Sequence, residues 1–354
     1  MIQNQGIKRF GKLLRVGVLL GIVAACGKEP VVSPDSPVDT AIDPCREVDC
    51  GEHGACVAIE AEAACECEDG FEAEALSCVD IDECADDNGG CGIEPRYACE
   101  NNEGQAPTCT DRCEDLESSI EAVENPASGP PMSGTVWFHK DIITEEDPSS
   151  FLSTRYTGQG ERVMFDRRTA SWETLNAHLF ETQFAGDITV EVQVNPEFSA
   201  EEAEAEALFY AEVIGRMPAF LFRDVQTVWI HRGVEPYGGG NYNLLIHTGQ
   251  TAEYLRDEVL EEVFIHEAAH TSMDAYHAAE PMWLAAQEAD GVAISTYAME
   301  HPDREDIAET LGPYLAYRHR SDRLKKKNLK TLESTIPNRL LYFDCLDLEM
   351  DILK

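Results

Sequence analysis

The chain has 354 residues, 67 of them acidic and 27 basic, for a formal net charge of −40 at pH 7. That acidic excess repels a phosphate backbone, so it argues against nucleic acid as a partner and for a self-repelling, soluble surface. The length suffices for one sizeable core plus smaller modules.

The first segment reads as an export signal. Lys8, Arg9, Lys12 and Arg15 precede an apolar run from Val16 to Ala25, too short to span a bilayer. It ends Val23-Ala24-Ala25-Cys26, which resembles the lipobox of bacterial lipoproteins. The resemblance implies a signal peptide over 1–25, lipidation at Cys26, and a mature chain in the cell envelope or outside it, held to a membrane by its lipid. Residues 26–44, rich in Pro and Asp without apolar periodicity, read as a flexible tether.

Eleven of the thirteen cysteines crowd into residues 45–113. In an exported chain such density reads as a disulfide framework. Over 45–79 the cysteines are Cys45, Cys50, Cys56, Cys65, Cys67 and Cys78, and Cys65-Glu66-Cys67 is followed by Glu-Asp-Gly-Phe. This spacing resembles an EGF-like module, and the resemblance implies the pairs 45–56, 50–65 and 67–78. Residues 80–113 open with Asp80-Ile81-Asp82-Glu83-Cys84, similar to a calcium-binding EGF-like module. By that likeness Asp80, Ile81, Glu83 and Asn101 would supply oxygens to Ca²⁺. This second module is atypical, with Cys109-Thr-Asp-Arg-Cys113 in place of a Cys-x-Cys pair. Pairing Cys84 with Cys99 and Cys91 with Cys109 leaves Cys113, and the remaining thiol is Cys345. A Cys113–Cys345 bridge is therefore expected, tying the second module to the C-terminal end.

From residue 114 to 354 the composition becomes that of a globular domain. Thr135–His139, Arg162–Phe165, Ile188–Val194, Thr227–His231 and Asn243–Gly249 are strand-like in β-branched and aromatic content. Ser199 and Glu202 form a capping box before a helix whose apolar stripe is expected at Ala205, Leu208, Phe209 and Val213. Tyr237-Gly-Gly-Gly-Asn241 reads as a flexible turn, Asp166-Arg167-Arg168 as a structural ion-pair cluster, and His231 and His247 as satisfied strand histidines. The strand at Asn243 is either an edge that pairs with a peptide or an interior strand. Strands followed by helices predict an α+β domain.

Residues 258–277 carry the chemistry. His266-Glu267-Ala268-Ala269-His270 is an H-E-x-x-H pattern on a helical apolar background that includes Val259 and Val263. Histidines four apart share one helical face, so both reach one Zn²⁺ while Glu267 reaches a water beside it. A third ligand is still required. Downstream, Glu305-Asp-Ile-Ala308-Glu309 places two carboxylates at i, i+4. Here the chain resembles gluzincin peptidases, in particular the catalytic domain of the anthrax lethal factor type. That likeness implies a zincin-like metallopeptidase fold with Glu305 as third zinc ligand and Glu309 fixing a histidine tautomer. Tyr297 would be the oxyanion donor and Glu267 the general base acting on a peptide or protein substrate. Asp274 and His277 are the alternative third ligands. A non-catalytic zincin-like binding module, or a zinc hydrolase of a non-peptide amide, would carry the same residues. An acidic surface would steer basic peptides towards the site.

Overall fold

A computed structural model describes residues 43–92, 95–135 and 142–349. The signal segment, Cys26, most of the tether and the expected strand at Thr135–His139 beyond its first residue lie outside them. No helix among the described residues is long and apolar enough to cross a membrane. The architecture is mixed α/β, with a cysteine-rich region preceding a larger domain. The chain divides into two compact units, one of residues up to 67 together with 73–78, and one of 68–72 with everything from 79 onward.

In the first unit Gly54–Ile59 and Glu62–Cys67 form an antiparallel hairpin turned at Glu60 and Ala61, both at positive φ. Its bonds are Cys45–Cys56, Cys50–Cys65 and Cys67–Cys78, the pairs that the resemblance implies. So short a stretch buries little apolar surface, and the bonds stand in for a core.

The second unit contains the second cysteine-rich module as well as the large domain. A hairpin of Tyr97–Asn102 and Gln105–Asp111 is held by Cys84–Cys99 and Cys91–Cys109, and Cys113–Cys345 joins it to the last helix. Arg96 pairs with both Asp111 of the hairpin and Glu280 of the domain. The module and the domain thus fall in one compact unit, joined by that bridge and ion pair.

The centre of the domain is a six-stranded sheet. Its strands are β1 (Phe151–Asp166), β2 (Ser171–Phe184), β3 (Ile188–Val194), β4 (Thr227–His231), β5 (Gly238–Gly240) and β6 (Asn243–His247). They lie in the order β5-β6-β4-β3-β2-β1. β3, β4 and β6 run parallel and the remaining pairings are antiparallel. Alternation sorts the side chains: Val190, Val192, Val228, Ile230, Leu244 and Ile246 enter the main core, while Trp229 and Leu245 join Met164, Ala177 and Leu179 on the opposite face. β6 is therefore interior, and the glycine run expected as a turn is the edge strand.

The helices are α1 (Ala200–Ile214), α2 (Thr248–Arg256), α3 (Leu260–Ser272), α4 (Pro281–Asp290), α5 (Asp306–His319), α6 (Lys326–Thr335) and α7 (Pro337–Cys345). Ser199 and Glu202 form the expected capping box on α1. The buried stripe is Ala203, Ala207, Tyr210, Ala211, Val213 and Ile214, so Val213 is buried as expected while Ala205, Leu208 and Phe209 face solvent. Small alanines let α1 approach the core closely, and that approach outweighs the larger apolar residues in choosing the face.

Candidate metal centre

The helix α3 lays Leu260, Val263, Phe264, Ala268 and Ala269 into the main core. That burial fixes the rotation of the helix and turns His266, Glu267 and His270 towards a cavity of about 550 Å³. α3 ends at Met273, whose φ of −121° leaves the helical region, and a short turn follows at Asp274–His277. The chain then passes through α4 and returns as α5, with Glu305 at its N-cap position and the Glu309 N–H donating to the Glu305 carbonyl (2.8 Å). A buried network seats that terminus. Arg339 of α7 donates from Nε to Asp306 (2.8 Å) and from Nη1 to Asp290 (2.9 Å), and Gln287 donates to Asp306 (2.7 Å).

Three ligand atoms converge as a result. His266 Nε2 and His270 Nε2 are 3.2 Å apart, and Glu305 Oε2 lies 3.6 Å from the first and 3.2 Å from the second. Ligands bound at ~2.05 Å around a tetrahedral zinc are separated by ~3.3 Å, so the triangle fits that ion without rearrangement. Among the described residues no other group of His, Cys, Asp and Glu side chains is gathered this way. His266 and Glu305 are buried, and His270 and Glu267 are partly open to the cavity.

The surrounding groups orient this triangle. Asp274 Oδ2 sits 2.7 Å from His270 Nδ1 and accepts its ring proton, leaving Nε2 free to ligate. Glu309 Oε1 lies 3.7 Å from His266 Nδ1. The Tyr297 hydroxyl donates to Glu305 Oε1 (2.9 Å), and Arg304 Nε lies 3.1 Å from the same oxygen. Burial disfavours the charged forms here, yet hydrogen bonds to Asp274 and Glu305 outweigh it and raise His270 to about 10. Burial likewise opposes the Glu305 carboxylate, and bonds from the two histidines and Tyr297 carry it far below the usual carboxylate range. The environment favours positive charge at the centre of the triangle.

Models of known protein families, curated proteins and solved structures were all compared with the chain, and none matches it. Its reading therefore rests on this geometry.

The alternatives for the third ligand take other roles. Asp274 reaches the outer nitrogen of His270 and not the centre. The break at Met273 turns His277 away from the cavity, where its Nδ1 meets the Tyr342 hydroxyl at 2.7 Å. His231 and His247 stack on each other at the ends of β4 and β6, bonded to Asn195 and to the Arg232 carbonyl, and do not line the cavity. In the second module Asp80 accepts from Asn101 Nδ2 (2.8 Å) and from the Gly104 N–H (2.7 Å), so those two calcium candidates do meet. Ile81 donates its N–H to the Gly70 carbonyl, and the Glu83 Oε2 is buried without a hydrogen-bond partner.

The sequence reading missed three features of the cavity wall: Arg167, Arg304 and the edge strand β5. Asp166 and Arg168 form the expected ion pair (2.6 Å), but their neighbour Arg167 lines the cavity. The available signal was an arginine pair in a very acidic chain between two strand-like runs. Each glycine of β5 has a cause. A Cβ at Gly239 would lie 1.8 Å from the carbonyl oxygen of Glu267, one at Gly238 would lie 2.8 Å from Arg167 Nη2, and Gly240 has φ +94°. β5 is fastened by the Gly240 N–H, which donates to Thr271 of α3 (2.8 Å), and by the Tyr237 hydroxyl on Thr251 (2.6 Å).

Proposed function

We propose that residues 114–354 form a zincin-like zinc metallopeptidase domain of the gluzincin type, with His266, His270 and Glu305 as ligands. The observation that carries this reading is the ligand triangle of 3.2, 3.2 and 3.6 Å with Glu267 beside it in an open cleft. Bound there, zinc would acidify a water and polarise the scissile carbonyl. Glu267 would be the general base, its carboxylate holding the proton that goes to the leaving amine. Tyr297, which lines the cavity and donates to Glu305, would be the oxyanion donor. Asp274 holds His270 in the ligating tautomer, and the free edge of β5 offers backbone groups for pairing with an extended peptide.

The same reading has the chain exported and held to a membrane through Cys26. Six disulfides accord with an oxidising compartment. It also has Ca²⁺ in the second module, near Asp80 and Asn101.

The test is the zinc content and peptide hydrolysis of the purified mature chain beside Glu305→Ala and Glu267→Gln. The wild type is expected to hold about one zinc and to cleave peptides. Glu305→Ala should lose the metal. Glu267→Gln should keep it while losing hydrolysis by roughly a hundredfold or more. A metal-free wild type, or a Glu267→Gln chain that still hydrolyses, overturns the assignment.

A further inference from the structure

The arginine at the cavity wall is delivered by an unusual route. β1 and β2 form a long hairpin at the edge of the sheet opposite β5, yet Arg167, the first residue of its turn, lines the metal cavity. Two devices hold it there. Trp172 packs edge-on against Trp229 at 5.5 Å and against Phe165 at 5.5 Å, pinning the hairpin onto the outer face of the sheet. Arg168 bonds Asp166 (2.6 Å) and Glu197 (2.9 Å), locking the turn.

Arg167, one residue before this lock, has no ion-pair partner among the described residues, in a chain carrying 67 carboxylates. Arg162, Arg168, Arg216, Arg232, Arg318 and Arg339 are all paired. The Arg167 guanidinium occupies space kept open by the missing side chain of Gly238, beside the strand along which a peptide would pair. Of the three acids that line the cavity, Glu267, Asp274 and Glu305, none forms an ion pair with Arg167. Asp274 and Glu305 are engaged with the histidines, and Arg304 pairs with Glu305.

We propose that Arg167 is a specificity-determining residue that binds a carboxylate of the substrate, making the cleft selective for acidic peptides. This rests on the peptidase reading. It reverses the expectation from net charge, because long-range repulsion is screened within about 8 Å at physiological salt while a guanidinium–carboxylate contact acts below that distance. The carboxylate belongs to an Asp or Glu side chain or to the peptide C-terminus.

The experiment uses internally quenched peptide mixtures of one design carrying Glu, Gln or Lys at a fixed place, each as free acid and as C-terminal amide. Cleavage is followed with the wild type, Arg167→Gln, Arg167→Lys and Arg167→Glu. Binding is followed in parallel by anisotropy with zinc-loaded Glu267→Gln, alone and combined with Arg167→Gln. The wild type is expected to prefer Glu over Gln by roughly ten- to a hundredfold. Arg167→Gln should remove that preference, read as the Glu-to-Gln ratio within each protein, Arg167→Lys should restore part of it, and Arg167→Glu should favour Lys. A preference that follows the free acid and not the Glu assigns the carboxylate to the C-terminus. Cleavage without any carboxylate preference, or a preference that survives Arg167→Gln, overturns the inference and leaves the peptidase reading standing. Carboxylate-dependent binding with no cleavage by the wild type upholds the role of Arg167 and removes the peptidase reading. Absence of both binding and cleavage removes both.

Discussion

On the proposed reading, Asp274 supports the metal site and His277 the fold around it, neither of them ligating. Asp274 touches only the outer nitrogen of His270, so Asp274→Asn should leave the metal site assembled and weaken zinc affinity by roughly ten- to a hundredfold, read by competition with a chromophoric chelator. His277 is buried against Tyr342 and remote from the centre. His277→Ala should therefore keep zinc affinity while costing about 2 kcal/mol in denaturant unfolding, from a cavity and an orphaned hydroxyl. Were His277→Ala to shed the metal, the turn at Met273 would have to be redrawn. The two histidines and Glu267 were readable from sequence because their geometry is local, fixed by the helical repeat over five residues. Glu305 was readable only as one of three candidates, since its position depends on α5 returning across α3. Arg167 was not readable as part of the site. A hairpin that carries it over a whole sheet leaves no local pattern.

Elements show where propensity yields to packing. A run of three glycines argues against a strand on its own, and the reason for it lies in another element, the backbone of α3 at Glu267. Gly239→Ala should push β5 off α3, costing about 3 kcal/mol and most of the activity, because the obstructing atom is a main-chain oxygen 1.8 Å away. Gly312→Ala in α5, with open space around its Cβ, should instead stabilise by about 0.5–1 kcal/mol. α3 carries a second marker in Glu262, one turn before His266. Burial pushes its carboxyl up to about 8 despite an N–H bond from Ile143, and its Oε2 has no hydrogen-bond partner. Between the unfolded value near 4.5 and the folded value, the native chain retains a proton that the unfolded chain releases, so stability falls as pH rises through this window. Glu262→Gln keeps an acceptor for Ile143 without the charge. Compared with this variant, the wild type should lose on the order of 3 kcal/mol between pH 5 and pH 8, measured by urea unfolding at each pH. Equal slopes for the two proteins would place an ionised Glu262 in the native state.

At the scale of the whole molecule, one covalent bond closes nearly everything that carries chemistry. Cys113 and Cys345 are 232 residues apart, and the loop between them contains the sheet, α3 and the Glu305 turn. Cys113 was expected to seek Cys345 because the second module holds an odd number of cysteines. That expectation took an odd count together with the EGF-like pairing of the other four cysteines, which the resemblance implies. The physical role of the bond did need the fold: α7, which bears Cys345, also bears Arg339, whose ion pairs to Asp290 and Asp306 seat the terminus that presents Glu305. In a chain of net charge −40, self-repulsion favours expansion, so a closure of this length removes many extended unfolded states. The loop-entropy relation gives about 5 kcal/mol as the limit, and 3–5 kcal/mol is the expected loss for the double variant Cys113→Ser/Cys345→Ser. The loss should be largest at low ionic strength and shrink as salt screens the carboxylates. Zinc affinity separates two ways in which the bond could act. If it acts on the unfolded chain alone, the double variant binds zinc as tightly as the wild type at temperatures where both are folded. If it also holds α7 against α5, zinc affinity falls in step with stability, and Arg339→Lys reproduces that fall with the disulfide intact.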